Sequence, residues 1–243
     1  MKIQIGRLML ALPLLALCLS AHAQKDNTLS KKEKSAGWQL LFDGKTFNGW
    51  KNIRTGAMPD KGWTIADGAM SVPDNNNKTS VGDIVTDRKF RNFELLVDFR
   101  YTDGANSGIK YFVNEGANGK ISNVACEYQV LDDLLHPDAT KGVNGNRKIA
   151  TLYDVLPANV KKAPKAGEWN TARIVVKGKK VEHWLNGALV LSYERGSDAW
   201  KAGFATSKFT EVKDWGMADE GYILLQDHGK VVSFKNIKIK ELK

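Results

Sequence analysis

The chain has 243 residues, a formal charge of +9 and two cysteines. Only Cys126 lies outside the apolar N-terminus, so no intramolecular disulfide is available once that segment is removed, and a core of roughly 200 residues must hold the fold by itself. The cation excess raises nucleic acid as a partner, but the lysines are scattered, with small groups at 31–34, 160–162 and the final strand. That is the pattern of a solvated surface, and no nucleic-acid partner is expected.

In chain order, Lys2 and Arg7 precede the apolar run LMLALPLLALCL, and Ala21-His22-Ala23 puts small residues at the minus-three and minus-one positions of a cleavage site. These are the parts of a secretory signal peptide over residues 1–23. Cleavage leaves Gln24 first and lowers the formal charge to +7. A lipid anchor on Cys18 is disfavoured by the bulky Leu17 before it. No other apolar stretch is long enough to cross a bilayer, so no membrane insertion is expected and the location is periplasmic or secreted. Residues 24–37 are polar and lysine-rich without apolar period, which predicts a flexible tether.

From Trp38 the pattern is strand after strand. NFELLVDFRY (92–101) and SGIKYFV (107–113) alternate, and RIVVKGKKVEHWLNGALVLSY (173–193) reads as three strands turned at Gly178 and at Asn186-Gly187. VVSFKNIKIKEL (231–242) is a terminal strand. Helical periods are confined to short turns near 132–140 and 196–201. Short strands without crossover helices predict an all-β sandwich of antiparallel sheets, in one domain over 38–243. Trp38, Trp63, Trp169 and Trp184 fall in strand patterns and are expected in its core. Trp50 and Trp215 lie in glycine-rich surroundings, where an aromatic face could stack on a sugar.

Three segments carry candidate chemistry. In YILLQDH (222–228), Tyr222, Leu224, Gln226 and His228 share one face, with Asp227 near the strand end able to turn toward the rim. In VACEYQVLDD (124–133), Glu127 and Gln129 project side by side. The polar segment after it holds Asp132 and His136 and could fold over the same face. In GANSGIKYF (104–112), glycines bracket Asn106 and Ser107, which suits close approach of a ligand or a bulge, and Lys110 alternates with Ile109 and Tyr111. His183 shares a face with Val181 and Leu185 and reads as a packed strand histidine. Cys126 lies on an apolar face, which argues against a thiolate nucleophile. No nucleophile-elbow, P-loop or dinucleotide fingerprint is present.

Taken in order, WQLLFDGKTFNGW, GANSGIKYF, CEYQVLDDLLHPDA, LYDV, GEWNTARIVVKG, HWLNG and GYILLQDHG resemble the bacterial 3-keto-disaccharide hydrolase family over nearly all of the chain past residue 37. The resemblance implies a concanavalin A-like jelly-roll sandwich and a secreted enzyme acting on saccharides already oxidised at C3. A ketone at C3 acidifies the C2 hydrogen, so a base can remove it, the C1 substituent can leave by β-elimination, and water addition completes a net hydrolysis. Glu127, His136 and His228 are the candidate acids and bases, with Lys110 or a divalent metal as the enolate stabiliser. Asn106, Gln129, Asp132, Gln226, Asp227, Trp50 and Trp215 are the candidate substrate contacts. A metal set could come from Glu127, His136, Asp227 and His228.

Two other readings stay open. An ordinary glycosidase would flank the bond with two carboxylates. Jelly-roll glucanases carry E-x-D-x-x-E, whereas here Gln129 stands at the central acid and Asp132 at the last, leaving Glu127 to pair with Asp132 or Asp227. A carbohydrate-binding module would need stacking aromatics and neutral hydrogen bonders more than titratable groups.

Overall fold

The computed structural model describes residues 24–59, 62–75 and 81–243; the expected signal segment lies outside them. Among the described residues thirteen strands run in chain order: β1 (Trp38–Leu40), β2 (Trp50–Asn52), β3 (Thr64–Ala66), β4 (Ala69–Ser71), β5 (Ile84–Thr86), β6 (Phe93–Tyr101), β7 (Asn106–Val113), β8 (Cys126–Leu131), β9 (Asn170–Lys177), β10 (Lys180–Leu185), β11 (Ala188–Glu194), β12 (Tyr222–Leu225) and β13 (Val232–Glu241). Two short helices, α1 (Lys31–Ser35) and α2 (Asp198–Ala205), flank them. The larger sheet has the order β11-β10-β9-β6-β13-β4-β3, with β1 also on β13, and the smaller one β2-β5-β12-β7-β8. Neighbours pair antiparallel, giving the jelly-roll sandwich.

Local chemistry sets the turns. Asn186 and Gly187 both take positive φ (49° and 82°), the requirement of a two-residue type I′ hairpin, and they join β10 to β11. In β13 the register on β6 shifts between Lys235 and Lys238, with Asn236 at φ 51°, which makes a bulge. The inner faces alternate as a sandwich requires. Phe93, Leu95, Val97 and Phe99 of β6 meet Ile109, Tyr128, Val130, Ile223 and Leu225 of the smaller sheet in one buried core.

The segment expected to be a flexible tether is instead a clasp on the larger sheet. Ser30 and Glu33 form a capping box that starts α1. Glu33 also pairs with Lys238, and Asn27 exchanges hydrogen bonds with Asn236 (2.6 and 2.8 Å). Asp26 pairs with Lys235 as well (2.7 Å), while the lysines of the segment face water and hide the residues that dock.

The tryptophans also depart from expectation. Trp63 is buried, but Trp38, Trp169 and Trp184 are partly exposed, and Arg and Lys side chains cover Trp169 and Trp184. Inward neighbours such as Val181, His183 and Leu185 leave Trp184 on the outer face. The two tryptophans expected at sugar are core residues. Trp50 is 2% exposed and donates from Nε1 to the Leu41 carbonyl (2.6 Å), and Trp215 is sealed in a stack with Trp200, Phe204 and Phe209.

Candidate active site

The smaller sheet turns its outer face toward a cleft of about 190 Å³. Antiparallel register sets its floor. Lys110 of β7 lies opposite Glu127 of β8, and Gly108 opposite Gln129. Directly opposed residues share a face, so Glu127, Gln129 and Lys110 all point outward while Ile109, Tyr128 and Val130 point to the core. Gln226 and His228 follow β12 and line the same cleft with Asn106, Tyr153, Lys208 and Phe209. His136 stands beside His228 at the rim, with ring centroids 6.0 Å apart and nearly perpendicular planes. Its Nδ1 accepts from the Asp138 amide (3.1 Å).

Glu127 is the buried acid of the cleft, 5% exposed. Its Oε2 lies 3.4 Å from Lys110 Nζ, and Lys110 also donates to the Asn123 carbonyl (2.8 Å). Burial raises the Glu127 carboxyl above the usual range, and the charges of Lys110 and Lys208 oppose that rise. A carboxyl so placed takes up a proton more readily than an exposed one, as a general base requires. Asp83, two residues before Val85 and therefore on the same face, is raised likewise by burial, and its Oδ1 accepts from the Asp227 amide (2.9 Å).

Three amide side chains share the cleft and are under-satisfied within the fold. Asn106, Gln129 and Gln226 each keep a buried side-chain oxygen with no hydrogen-bond partner. Such an atom costs about 1–3 kcal/mol, which a hydroxyl-rich ligand would recover.

Two predicted contacts point elsewhere. Asp132 accepts from the Gly104 and Leu134 amides (2.8 and 3.0 Å) and shapes the turn after β8. Asp227 accepts from Val81, Gly82 and Gly229 (2.5, 3.1 and 3.0 Å). Both carboxylates sit where a strand exits, and loop amides take their lone pairs. Neither forms a two-carboxylate pair with Glu127. Among the described residues no three His, Cys, Asp or Glu side chains gather as a metal centre, so the proposed set of Glu127, His136, Asp227 and His228 is dispersed. Cys126 faces the core, where burial pushes its thiol up to about 12.

The residues that sequence reasoning missed come from loops. Lys208 Nζ donates to Tyr153 OH (3.1 Å), which donates to Asp138 Oδ2 (2.7 Å). Arg147 bridges Asp138 (3.2 Å) and Asp154 (2.5 Å), and the Lys208 amide donates to Asp154 Oδ2 (2.8 Å). The aromatic surfaces at the cleft are Tyr153 and Phe209. LYDV was the one available signal for Tyr153, and nothing periodic marks Lys208.

A jelly-roll sandwich with a buried carboxylate, two ammonium groups and unsatisfied amides in a sugar-sized cleft defines a carbohydrate-active protein. The comparisons make it a glycosidic-bond-cleaving enzyme. Residues 37–240 match the family described as a 3-keto-alpha-glucoside-1,2-lyase-like domain, and the chain belongs to that family. It is 36% identical to a 3-keto-disaccharide hydrolase of Bacteroides thetaiotaomicron, over 92% of this chain and 84% of that protein. A candidate glycosyl hydrolase structure from Parabacteroides distasonis is also 36% identical, with a TM-score of 0.80 over 90% of this chain and 100% of its own. A second from that organism is 25% identical, with a TM-score of 0.63 over 84% and 99%.

Proposed function

We propose that the enzyme cleaves 3-keto-disaccharides and related 3-keto-glycosides by β-elimination followed by hydration. The observation that carries this reading is Glu127, a buried carboxyl raised by desolvation, flanked by cations, and the one carboxyl among the described residues that line the cleft. Direct displacement at C1 needs two carboxylates across the bond. Proton removal next to a ketone needs one base.

In the proposed sequence Glu127 takes the C2 proton, and the electron pair moves into the C2–C3 bond while charge builds on the C3 oxygen. Collapse of the enolate restores the ketone, forms the C1–C2 double bond and expels the C1 oxygen with its bonding pair. His228 at the open rim, next to His136, protonates the departing oxygen. Water then adds across the enone. Asn106, Gln129 and Gln226 hold sugar hydroxyls. We further propose that the protein is secreted and that residues 1–23 are removed; the mass of the exported chain tests this, with a start at Gln24 expected.

The deciding experiment compares a 3-keto-disaccharide with its unoxidised parent and runs the reaction in heavy water. Turnover restricted to the ketone, with deuterium at C2 of the product, is expected. Glu127→Gln should lower turnover by roughly 10²-fold or more. Equal turnover of the parent sugar would overturn the mechanism.

A further inference from the structure

The cleft holds two ammonium groups, and they are not equivalent. Lys110 is committed to Glu127 and to the Asn123 carbonyl. Lys208 has no carboxylate within 4.0 Å of its Nζ among the described residues. It is held by Tyr153 OH and lies against the faces of the Tyr153 and Phe209 rings, 4.4 and 5.4 Å from their centroids. With Glu127 ionised the trio of Glu127, Lys110 and Lys208 carries one positive charge. Once Glu127 has accepted a proton it carries two.

We propose that Lys208 is a catalytic residue whose ammonium donates a hydrogen bond to the C3 oxygen of the substrate and balances the charge that forms there. The inference rests on the 3-keto reading above and assigns the part that reading leaves open. Electrons from the breaking C2–H bond end on the C3 oxygen, the proton goes to Glu127, and Lys208 keeps its own proton throughout.

Two features fit Lys208 to this role. The residue is exposed, but its Nζ lines the cleft between the Tyr153 and Phe209 ring faces, where an oriented charge counts for more than it would in open water. It is also braced at both ends. Its amide is tied to Asp154 and its Nζ to Tyr153, while Asp138 and Arg147 lock those two partners together. The next residue, Phe209, is stacked on Trp215 at 4.8 Å, which fixes the backbone. Desolvation lowers the affinity of Lys208 for its proton, and the charges of Glu127, Asp154 and Asp138 oppose that fall.

The test uses a 3-keto sugar that lacks a leaving group at C1, so that only C2 proton exchange with heavy water is read. Lys208→Met should slow that exchange by 10²- to 10³-fold, the scale of losing one oxyanion donor. With a cleavable 3-keto-disaccharide it should lower kcat by a similar factor and change KM little. Lys208→Gln, polar and close in length, serves if the Met variant does not fold and should lose at least tenfold. A folded variant exchanging within threefold of wild type would overturn the proposal alone, as would a borohydride-trapped sugar adduct on Lys208, which would make the lysine a covalent nucleophile. Wild-type protein that exchanges nothing and cleaves the unoxidised disaccharide would overturn both this inference and the 3-keto reading.

Discussion

The carboxylate of Glu127 fills the space that a side chain on Gly108 would take: a β-carbon there would stand 2.2 Å from Oε1 and 2.6 Å from Cδ. Gly108 is thus part of the acid's seat. Gly108→Ala should push the carboxylate out of register and lower turnover by about 10²-fold, the cost of misplacing a catalytic group by about 1 Å. Its melting temperature should change little, because the cleft gives Glu127 somewhere to go. Steady-state kinetics beside a thermal melt checks both.

Lys110 should set the acid limb of the pH profile. Burial raises the Glu127 carboxyl and Lys110 pulls it back, so Lys110→Met should move the limb of kcat/KM to higher pH, since the base must be ionised to act. A limb that stayed in place or moved to lower pH would show that Glu127 does not report there.

The buried histidine predicts an acid sensitivity remote from catalysis. His183 donates from Nδ1 to the Ala150 carbonyl (2.9 Å) and accepts at Nε2 from Tyr111 OH (2.7 Å), so it is neutral in the fold. Burial lowers its pKa from 6.5 to about 4. The folded value is depressed, so the stability contribution is complete above pH 6.5 and drains as pH falls through about 4. At 1.36 kcal/mol per unit the loss is roughly 3 kcal/mol. Denaturant titrations from pH 7 to pH 4 should show it, and a folded His183→Asn variant should show a flatter dependence.

The N-terminal clasp should open in acid. Glu33, paired with Lys238 and capped by Ser30, is lowered from 4.5 to about 2. A depressed carboxylate stabilises above its unfolded value and loses that contribution as pH falls from 4.5 toward 2. Amides of residues 27–36 should exchange faster across that window while β6 and β13 stay protected. Glu33→Gln should give the fast exchange at neutral pH.

The ring stack behind the cleft should carry both stability and shape. Phe209 and Trp215 stack at 4.8 Å, and Trp200 and Phe204 continue the stack. Trp215→Ala should destabilise by about 3–5 kcal/mol. Phe209→Ala should raise KM in a protein that still melts cooperatively, because this ring lines the cleft.

Much of the sandwich was legible because β-strands advertise themselves with period two. β9, β10 and β11 follow their alternation, and Asn186-Gly187 marks their hairpin. The same rule put Glu127, Gln129, Lys110 and Gln226 on one face. It failed where loops decide. Asp132 and Asp227 look like site acids on a strand, yet each ends its strand and turns to backbone amides. Lys208 and Tyr153 reach the cleft through tertiary packing, which leaves no local period. The tryptophans misled for a simpler reason, since glycine-rich flanks mark a turn and say nothing about which way the ring then points.

β13, more than 130 residues after β6 in sequence, lies inside the larger sheet, hydrogen-bonded to β6 on one side and to β4 on the other. The sheet has no centre until residues 232–241 are made, and the clasp on Lys238 and Asn236 has nothing to grip. Non-local pairing of this kind slows folding and postpones it until β13 is available. Truncation from the C-terminus should therefore act as a cliff: removing residues 232–243 yields a chain without a sheet centre and without a cleft, whereas trimming the last two residues leaves every β13 pair in place.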